Sequence, residues 1–230
     1  YGIWRLLMSV VVVVAPHPDD ETLGCGGTLF KHQAEGDEIH WLIMTTIIEQ
    51  DDFEKGCIAR RKQEISMVAE KYQFTSIHQA QFATTTLDAV ANNKLIAEVA
   101  NFFKKVKPDT IYLPYRNDVH SDHSAAFDAV ASCTKSFRYP FIRSVRAYET
   151  LSETEFSIRS DDGGFHPNLW IDISLYLEKK IEVMQIYKSE IGNHPFPRSV
   201  RNIRALATLR GSSAGSEYAE GFMSLKEIVK

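Results

Sequence analysis

A layered α/β fold built on a mostly parallel sheet is predicted by three observations. Five consecutive valines open the first apolar segment, strand and helix patterns alternate behind it, and no linker, repeat or low-complexity tract divides the 230 residues. Val10–Val14 is a continuous β-branched run, which suits a strand buried on both faces of a parallel sheet. Ile39–Met44, a weaker Ile77–Phe82, Thr110–Leu113 and Val145–Tyr148 follow as strands. Between them, Thr22–Glu35, Ile58–Tyr72, Lys94–Val106 and His123–Lys135 read as helices; Ile58, Ile65, Val68, Ala69 and Tyr72 supply the apolar positions of the second. Such βαβ units with right-handed crossovers give a Rossmann-like sheet covered by helices on both faces. After Tyr139-Pro140 the rhythm changes. Thr150–Ser160 is polar and strand-prone, Asp161-Asp162-Gly163-Gly164 is a turn, and Trp170–Ile173 is a short strand. Leu175–Ser189 is a charged amphipathic helix, and a last helix runs from Ser199 to about Leu209 after the break at His194-Pro195-Phe196-Pro197. This third of the chain reads as a C-terminal elaboration, and residues 1–230 as one domain. Residues 1–7 precede the first methionine, Met8, and read as an appended remnant or a genuine extension.

Composition narrows the classes of function. Lys+Arg 26 against Asp+Glu 30 leaves a net charge of −4, without the basic footprint that nucleic-acid binding requires. The longest apolar run, Val10–Ala15, is far short of the roughly 20 residues of a membrane span and ends in Pro-His-Pro-Asp-Asp. Hydrophobic residues at 44% and charged residues at 24% are globular values and exclude a disordered or fibrous chain. Cys25, Cys57 and Cys133 contain no C-x-x-C pair, so neither a disulfide framework nor a cysteine zinc finger is expected, and a reducing, cytoplasmic location fits.

Two motifs carry chemistry. Pro16-His17-Pro18-Asp19-Asp20-Glu21 lies between the first strand and the first helix, at a strand carboxyl end, where open α/β sheets bind ligands. Asp19 or Asp20 as a helix N-cap would explain one or two acids, but not the histidine beside them. Gly24-Cys25-Gly26-Gly27 invites a phosphate-loop reading, against which stand the three carboxylates in front of it. The second motif, His120-Ser121-Asp122-His123, follows the Thr110–Leu113 strand and its exit loop, Tyr115–Val119; Ser121 or Asp122 as a cap is the plain alternative. Together the motifs offer His17, Asp20 and His123 as imidazole and carboxylate ligands, a mixture that suits zinc, and three protein ligands leave the open position of a catalytic site.

On these residues the chain resembles the PIG-L/LmbE-type N-acetylglucosaminyl deacetylases, whose pattern is (P/A)HPDD(E) after the first strand and a later H-x-D-H. The likeness extends through Gly26-Gly27 to Arg210-Gly211 and Tyr218-Ala219-Glu220-Gly221-Phe222. It implies one Zn2+ per chain on His17, Asp20 and His123, Asp19 as general base and His120 as electrostatic or acid partner. Arg61, in Arg61-x-x-Glu64, and Asp88 resemble substrate-contact positions. Thr45-Thr46-Ile47 departs from the threonine-then-glycine of many relatives.

Zinc lowers the pKa of bound water to about 7 and polarises an amide carbonyl. Asp19 would then move the water proton to the departing amine, His120, if protonated, would face the oxyanion, and Asp122 would orient or charge an imidazole. The expected reaction is hydrolysis of an N-acetylated amino sugar to amine and acetate. An amidase or hydratase on the same ligands, or a non-catalytic sugar- or nucleotide-binding module, are the alternatives, and a homo-oligomer is compatible with all of them. His194, among prolines, is a candidate pocket residue, whereas His32, His40, His78 and His166 lack ligand spacing and Cys25 reads as a packed residue. Thr45–Lys55 is a candidate mobile loop over the pocket. Arg198, Arg201, Arg204 and Arg210 stand without an acid between Ile191 and Ser216, which points to an anionic substrate unless they pair with carboxylates such as Glu149, Glu153 or Glu155.

Overall fold

The computed structural model describes residues 8–48, 56–158 and 164–229. Residues 1–7, 49–55 of the expected mobile loop and 161–163 of the expected turn lie outside them. Five strands, β1 (Val10–Ala15), β2 (Glu38–Thr46), β3 (Ser76–Ala83), β4 (Thr110–Pro114) and β5 (Ser144–Tyr148), pair in parallel. Beyond β5 the sheet continues antiparallel through β7 (Ala219–Glu227) to β6 (Leu169–Asp172), in the order β3-β2-β1-β4-β5-β7-β6. The strand order reverses between β1 and β4.

The valine run explains the layering. Alternate side chains of a strand point to opposite faces. Val11, Val13 and Ala15 therefore enter one core with α1 (Asp20–Glu35), α2 (Cys57–Tyr72), α5 (Leu177–Met184) and α6 (Val200–Ala214). Val12 and Val14 enter the other with α3 (Asn92–Val106) and α4 (Ser121–Ser132). Each buried valine contributes roughly 1.5–3 kcal/mol, so a polar residue in this run would be costly on either face. No helix among the described residues is long and apolar enough to cross a membrane.

The glycines of α1 serve packing. A Cβ on Gly24 would stand 2.2 Å from the Tyr148 ring, and one on Gly27 2.6 Å from Ile173, so larger residues would push the helix off the sheet. Across the same stretch lies a buried ion pair. Glu220 accepts the N–H groups of Gly27 (2.9 Å) and Thr28 (2.8 Å), and Lys180 donates to Glu220 (2.6 Å) and to the Leu23 carbonyl (2.8 Å). This gives the glycine cluster a physical reason that needs no phosphate.

The C-terminal third departs from expectation in three places. Described residues of Thr150–Ser160 form turns, not a strand: the Thr154 hydroxyl accepts the Thr150 N–H (2.8 Å), the local side-chain bonding that competes with a ladder. Ala219–Glu227, where no strand was expected, is a strand because β5 and β6 pair with it on both sides. The helix expected over Leu175–Ser189 stops at Met184, and the chain then turns to bring Tyr187 and Glu190 against the first motif.

Candidate active site

The first motif sits where β1 enters α1. Asp19 occupies the N-cap position with φ 135°, a conformation costing a non-glycine residue on the order of 1–3 kcal/mol. Its side chain makes no cap hydrogen bond. Neighbours instead bond the backbone: Asp20 Oδ2 accepts the His17 N–H (2.9 Å) and Glu21 Oε2 accepts the Asp19 N–H (3.0 Å). The Asp19 carboxylate is left to face the cleft. Glu21 is wholly buried beneath it, accepting the Thr22 (2.6 Å) and Tyr187 (2.8 Å) hydroxyls, and burial pushes it up to about 7.

The second motif sits where β4 leads into α4, beside β1. His120, rather than Ser121 or Asp122, is the N-cap, its Nδ1 accepting the Asp122 N–H (3.1 Å). Asp122 is buried and turned away from the cleft. It accepts the N–H groups of Thr85 (2.8 Å) and Leu87 (2.9 Å) and lies 3.0 Å from His17 Nε2, so it ties the segment after β3 to that imidazole.

His17, Asp20 and His123 meet at the strand-order reversal. His17 Nδ1 and His123 Nε2 each lie 3.4 Å from Asp20 Oδ2. That spacing is the edge of a tetrahedron whose bonds are about 2.1 Å, as for zinc with nitrogen and oxygen donors. His123 Nε2 is buried without a hydrogen-bond partner among the described residues, while Asp118 holds its Nδ1 at 2.7 Å. A ring fixed through one nitrogen with the other free and converging on a carboxylate is how a metal-binding histidine is prepared. His17, His120 and Asp122 also bring donor atoms together, but Asp122 is already spent on two backbone N–H groups.

The electrostatics follow from crowding. Burial would lower His17, but hydrogen bonds to Asp122 and Asp20 outweigh it and raise the imidazole to about 9. His123 likewise rises, against burial, through Asp20 and Asp118. Asp20 is buried, yet the two imidazoles hold it well below the usual carboxylate range. Burial, and then the charge of Asp20, push Asp19 well up. Burial and the neighbouring His17 lower His120 to about 4. These shifts favour a neutral His120 at pH 7, whose Nδ1 accepts the Asp122 N–H and leaves Nε2 to carry the proton.

Around these groups opens a cleft of about 260 Å3, whose walls include His17, Asp19, Asp20 and His120. Arg61 lines it with its guanidinium engaged: it donates to the Pro18 carbonyl (2.9 Å), bonds Glu190, and lies 3.5 Å from Glu64. Arg198 bridges Asp19 (3.3 Å) and Glu190 (3.2 Å). Arg204 forks onto Glu178 and Arg210 onto Glu149, and Arg201 is exposed and does not line the cleft. The continuous basic surface expected from that arginine run does not form, because the chain's own carboxylates take up three of its four members. Asp88 is exposed on a 3-10 turn, Leu87–Ala89, and His194 is exposed on its proline-rich loop; neither lines the cleft. Thr45 lines it, its hydroxyl bonded to the Pro16 carbonyl (2.8 Å).

Sequence reasoning missed Asp118, Glu153, Tyr187 and Glu190. Asp118 had a signal, an acid five residues before a histidine in a strand's exit loop. Glu153, Tyr187 and Glu190 reach the site only through tertiary packing, on segments that follow β5 and α5.

Comparison with known proteins gives the family. The chain is 26% identical over 226 residues to a diacetylchitobiose deacetylase of Thermococcus kodakarensis, covering 92% of this chain and 81% of that one. A conserved protein of Thermus thermophilus superposes with a TM-score of 0.76 at 23% identity, covering 97% of both chains. The 4-carboxy-2-hydroxymuconate hydratase of Pseudomonas putida shares the fold with a TM-score of 0.73 at 17% identity, over 97% of this chain and 98% of the other. The family model for GlcNAc-PI de-N-acetylase matches residues 12–134, more than half of the chain and both motifs, and the protein belongs to this PIG-L family.

Proposed function

We propose that this protein is a metal-dependent N-deacetylase that hydrolyses the acetamide of an amino sugar or its conjugate, releasing acetate and the free amine. The observation that carries the reading is the meeting of three converging donors, His17, Asp20 and His123, with a buried, cleft-facing carboxylate, Asp19, outside that set. Family membership and the diacetylchitobiose deacetylase relative support the same reaction.

His17, Asp20 and His123 would hold one divalent ion, for which zinc suits the donor set. Bound there, such an ion supplies water activation at neutral pH and polarisation of the amide carbonyl. Asp19 takes the proton of the hydrolytic water and passes it to the departing nitrogen, a task helped by the greater basicity that burial and the Asp20 charge give its carboxylate. His120 points its Nε2–H at the oxygen on which negative charge develops, as a neutral donor. Asp122 and Asp118 keep the His17 and His123 rings in place. Arg61 pins the Pro18 carbonyl and so the turn that carries Asp19. Three free, buried cysteines fit a reducing, cytoplasmic setting.

The test is metal analysis joined to an acetate-release assay on a panel of N-acetyl sugars. About one divalent ion per chain, with acetate released, is expected. Sugar binding without metal or turnover, or loss of a conjugated double bond from an unsaturated acid without acetate release, would overturn the reading.

A further inference from the structure

Asp19 has an easier conformation open to it than the one it holds. Its φ of 135° is unfavourable, and it stands at the N-cap of α1 without a cap hydrogen bond. An aspartate at that position ordinarily relaxes its backbone and accepts an N–H of the helix's first turn. That arrangement would take the carboxylate out of the cleft, so the observed one must be enforced from outside the motif.

Three contacts enforce it, and all of them lead to the turn that follows α5. The Asp19 N–H donates to Glu21 Oε2 (3.0 Å), and Glu21 Oε1 accepts the Tyr187 hydroxyl (2.8 Å). The carbonyl just before Asp19, that of Pro18, accepts from Arg61 Nη1 (2.9 Å), while Arg61 Nη2 bonds Glu190 Oε1. The Asp19 carboxylate itself lies 3.3 Å from Arg198 Nη1, while Arg198 Nη2 lies 3.2 Å from Glu190 Oε2. Local bonds fix the turn: the Glu190 N–H donates to the Tyr187 carbonyl (2.9 Å), and the Gly192 N–H to the Arg198 carbonyl (3.3 Å), which sets Arg198 beside Glu190.

Glu190 is where two of these arms meet. With one oxygen on each guanidinium, it joins the arm that holds the backbone of the Pro18-Asp19 turn to the arm that holds the Asp19 side chain. Without that carboxylate, two guanidinium groups would converge with no negative charge between them and repel each other. Both arms would then slacken together, and the capping arrangement would become available to Asp19.

We infer that Glu190 is a positioning residue for Asp19: by holding Arg61 and Arg198 together, it keeps the Asp19 carboxylate turned into the cleft and off the end of α1. Its part in catalysis rests on the deacetylase reading above, whereas the grip on Asp19 is a property of the fold.

The experiment compares the metal-loaded protein with its Glu190→Gln and Glu190→Ala variants. Steady-state acetate release from N,N'-diacetylchitobiose and N-acetylglucosamine, metal content and crystal structures of the same preparations are measured. Both variants should lower kcat about tenfold or more, since a misplacement of about 1 Å can cost roughly 10²-fold. KM should stay within about twofold and the metal content should not change. In the crystals of both variants Asp19 should leave its φ of 135° and turn its carboxylate to an N–H of α1. A raised KM with kcat unchanged would make Glu190 a substrate contact, and metal lost in step with kcat would make it a support of the ligands; either result overturns the inference, as does an Asp19 unmoved in both variants. Absence of acetate from both sugars with the unchanged protein would defeat the deacetylase reading instead. The inference is then decided by the crystal structures alone: an Asp19 turned onto α1 supports it, and an unmoved Asp19 overturns it.

Discussion

Around α1 lie two clusters of buried charge, one at its first turn and one against its middle. In the middle, Lys180 and Glu220 bond each other, two N–H groups and a carbonyl of the helix, and the adjacent cavity is only about 10 Å3. At the first turn, His123 Nε2 and Arg198 Nε lack hydrogen-bond partners among the described residues, Asp19 sits in an unfavourable backbone conformation, and the cluster opens onto a cleft of about 260 Å3. Both clusters bear the desolvation cost of burying ions. The first offsets it with its own bonds and is closed. The second leaves donors for something from outside to complete, which is how a charge cluster built for chemistry differs from one built for structure.

The sharpest test of that contrast removes a converging donor. His123→Ala or His17→Ala should lose the stoichiometric metal and, with it, detectable acetate release; Asp20→Asn should weaken metal binding by removal of a charged ligand. Full metal retention in both histidine variants, read by elemental analysis, would erase the distinction between the clusters. Asp19→Asn should keep the metal and lower turnover by roughly 10²-fold or more, the scale of a general base. Its melting temperature should hold or rise as a crowded negative charge is removed, and a fully active Asp19→Asn would move the base elsewhere. Glu220→Gln is the mirror case. Leaving Lys180 buried without its counter-ion should cost about 3–5 kcal/mol of stability, measured by denaturant unfolding, while kcat of the folded fraction stays near that of the unchanged protein.

Smaller effects refine the picture. In the metal-free protein the His17 proton stabilises the fold fully below its ordinary pKa of 6.5, a contribution lost as pH rises through about 9. A metal must displace that proton, so its affinity should climb about tenfold per pH unit for each proton released, with the His17 share of that slope ending above about 9. A flat profile in chelator competition between pH 6.5 and 8.5 would contradict the proton-for-metal exchange. Arg204→Ala removes an exposed pair with Glu178 and should cost less than about 1 kcal/mol.

Legibility in the sequence followed the range of the interactions. The centre of the parallel sheet could be read because its strands are local apolar runs, so that Val10–Val14 or Thr110–Leu113 needs no partner to be recognised, whereas Ile77–Phe82 at the edge, with His78, Gln79 and Gln81, gave a weaker signal. Strand β7 could not, because Ala-Glu-Gly-Phe-Met-Ser-Leu-Lys-Glu has little intrinsic preference for extension and becomes a strand by pairing with β5 and β6. His17, Asp19, Asp20, His120 and His123 were legible because helix starts at two neighbouring strand ends concentrate them into short motifs. Arg198 was legible as a charge but not in its role, since its carboxylate partners Asp19 and Glu190 lie elsewhere in the chain.

By itself, then, the sequence determined the α/β layering and the two clusters of donors, through local periodicity and through motifs short enough to be contiguous. The tertiary structure alone decided that those donors converge on one carboxylate, that burial and His17 lower the His120 imidazole, and that three of the four arginines serve the chain's own acids. Each of these depends on distance and burial between residues far apart in the chain, where desolvation and Coulomb attraction change steeply over a few ångströms.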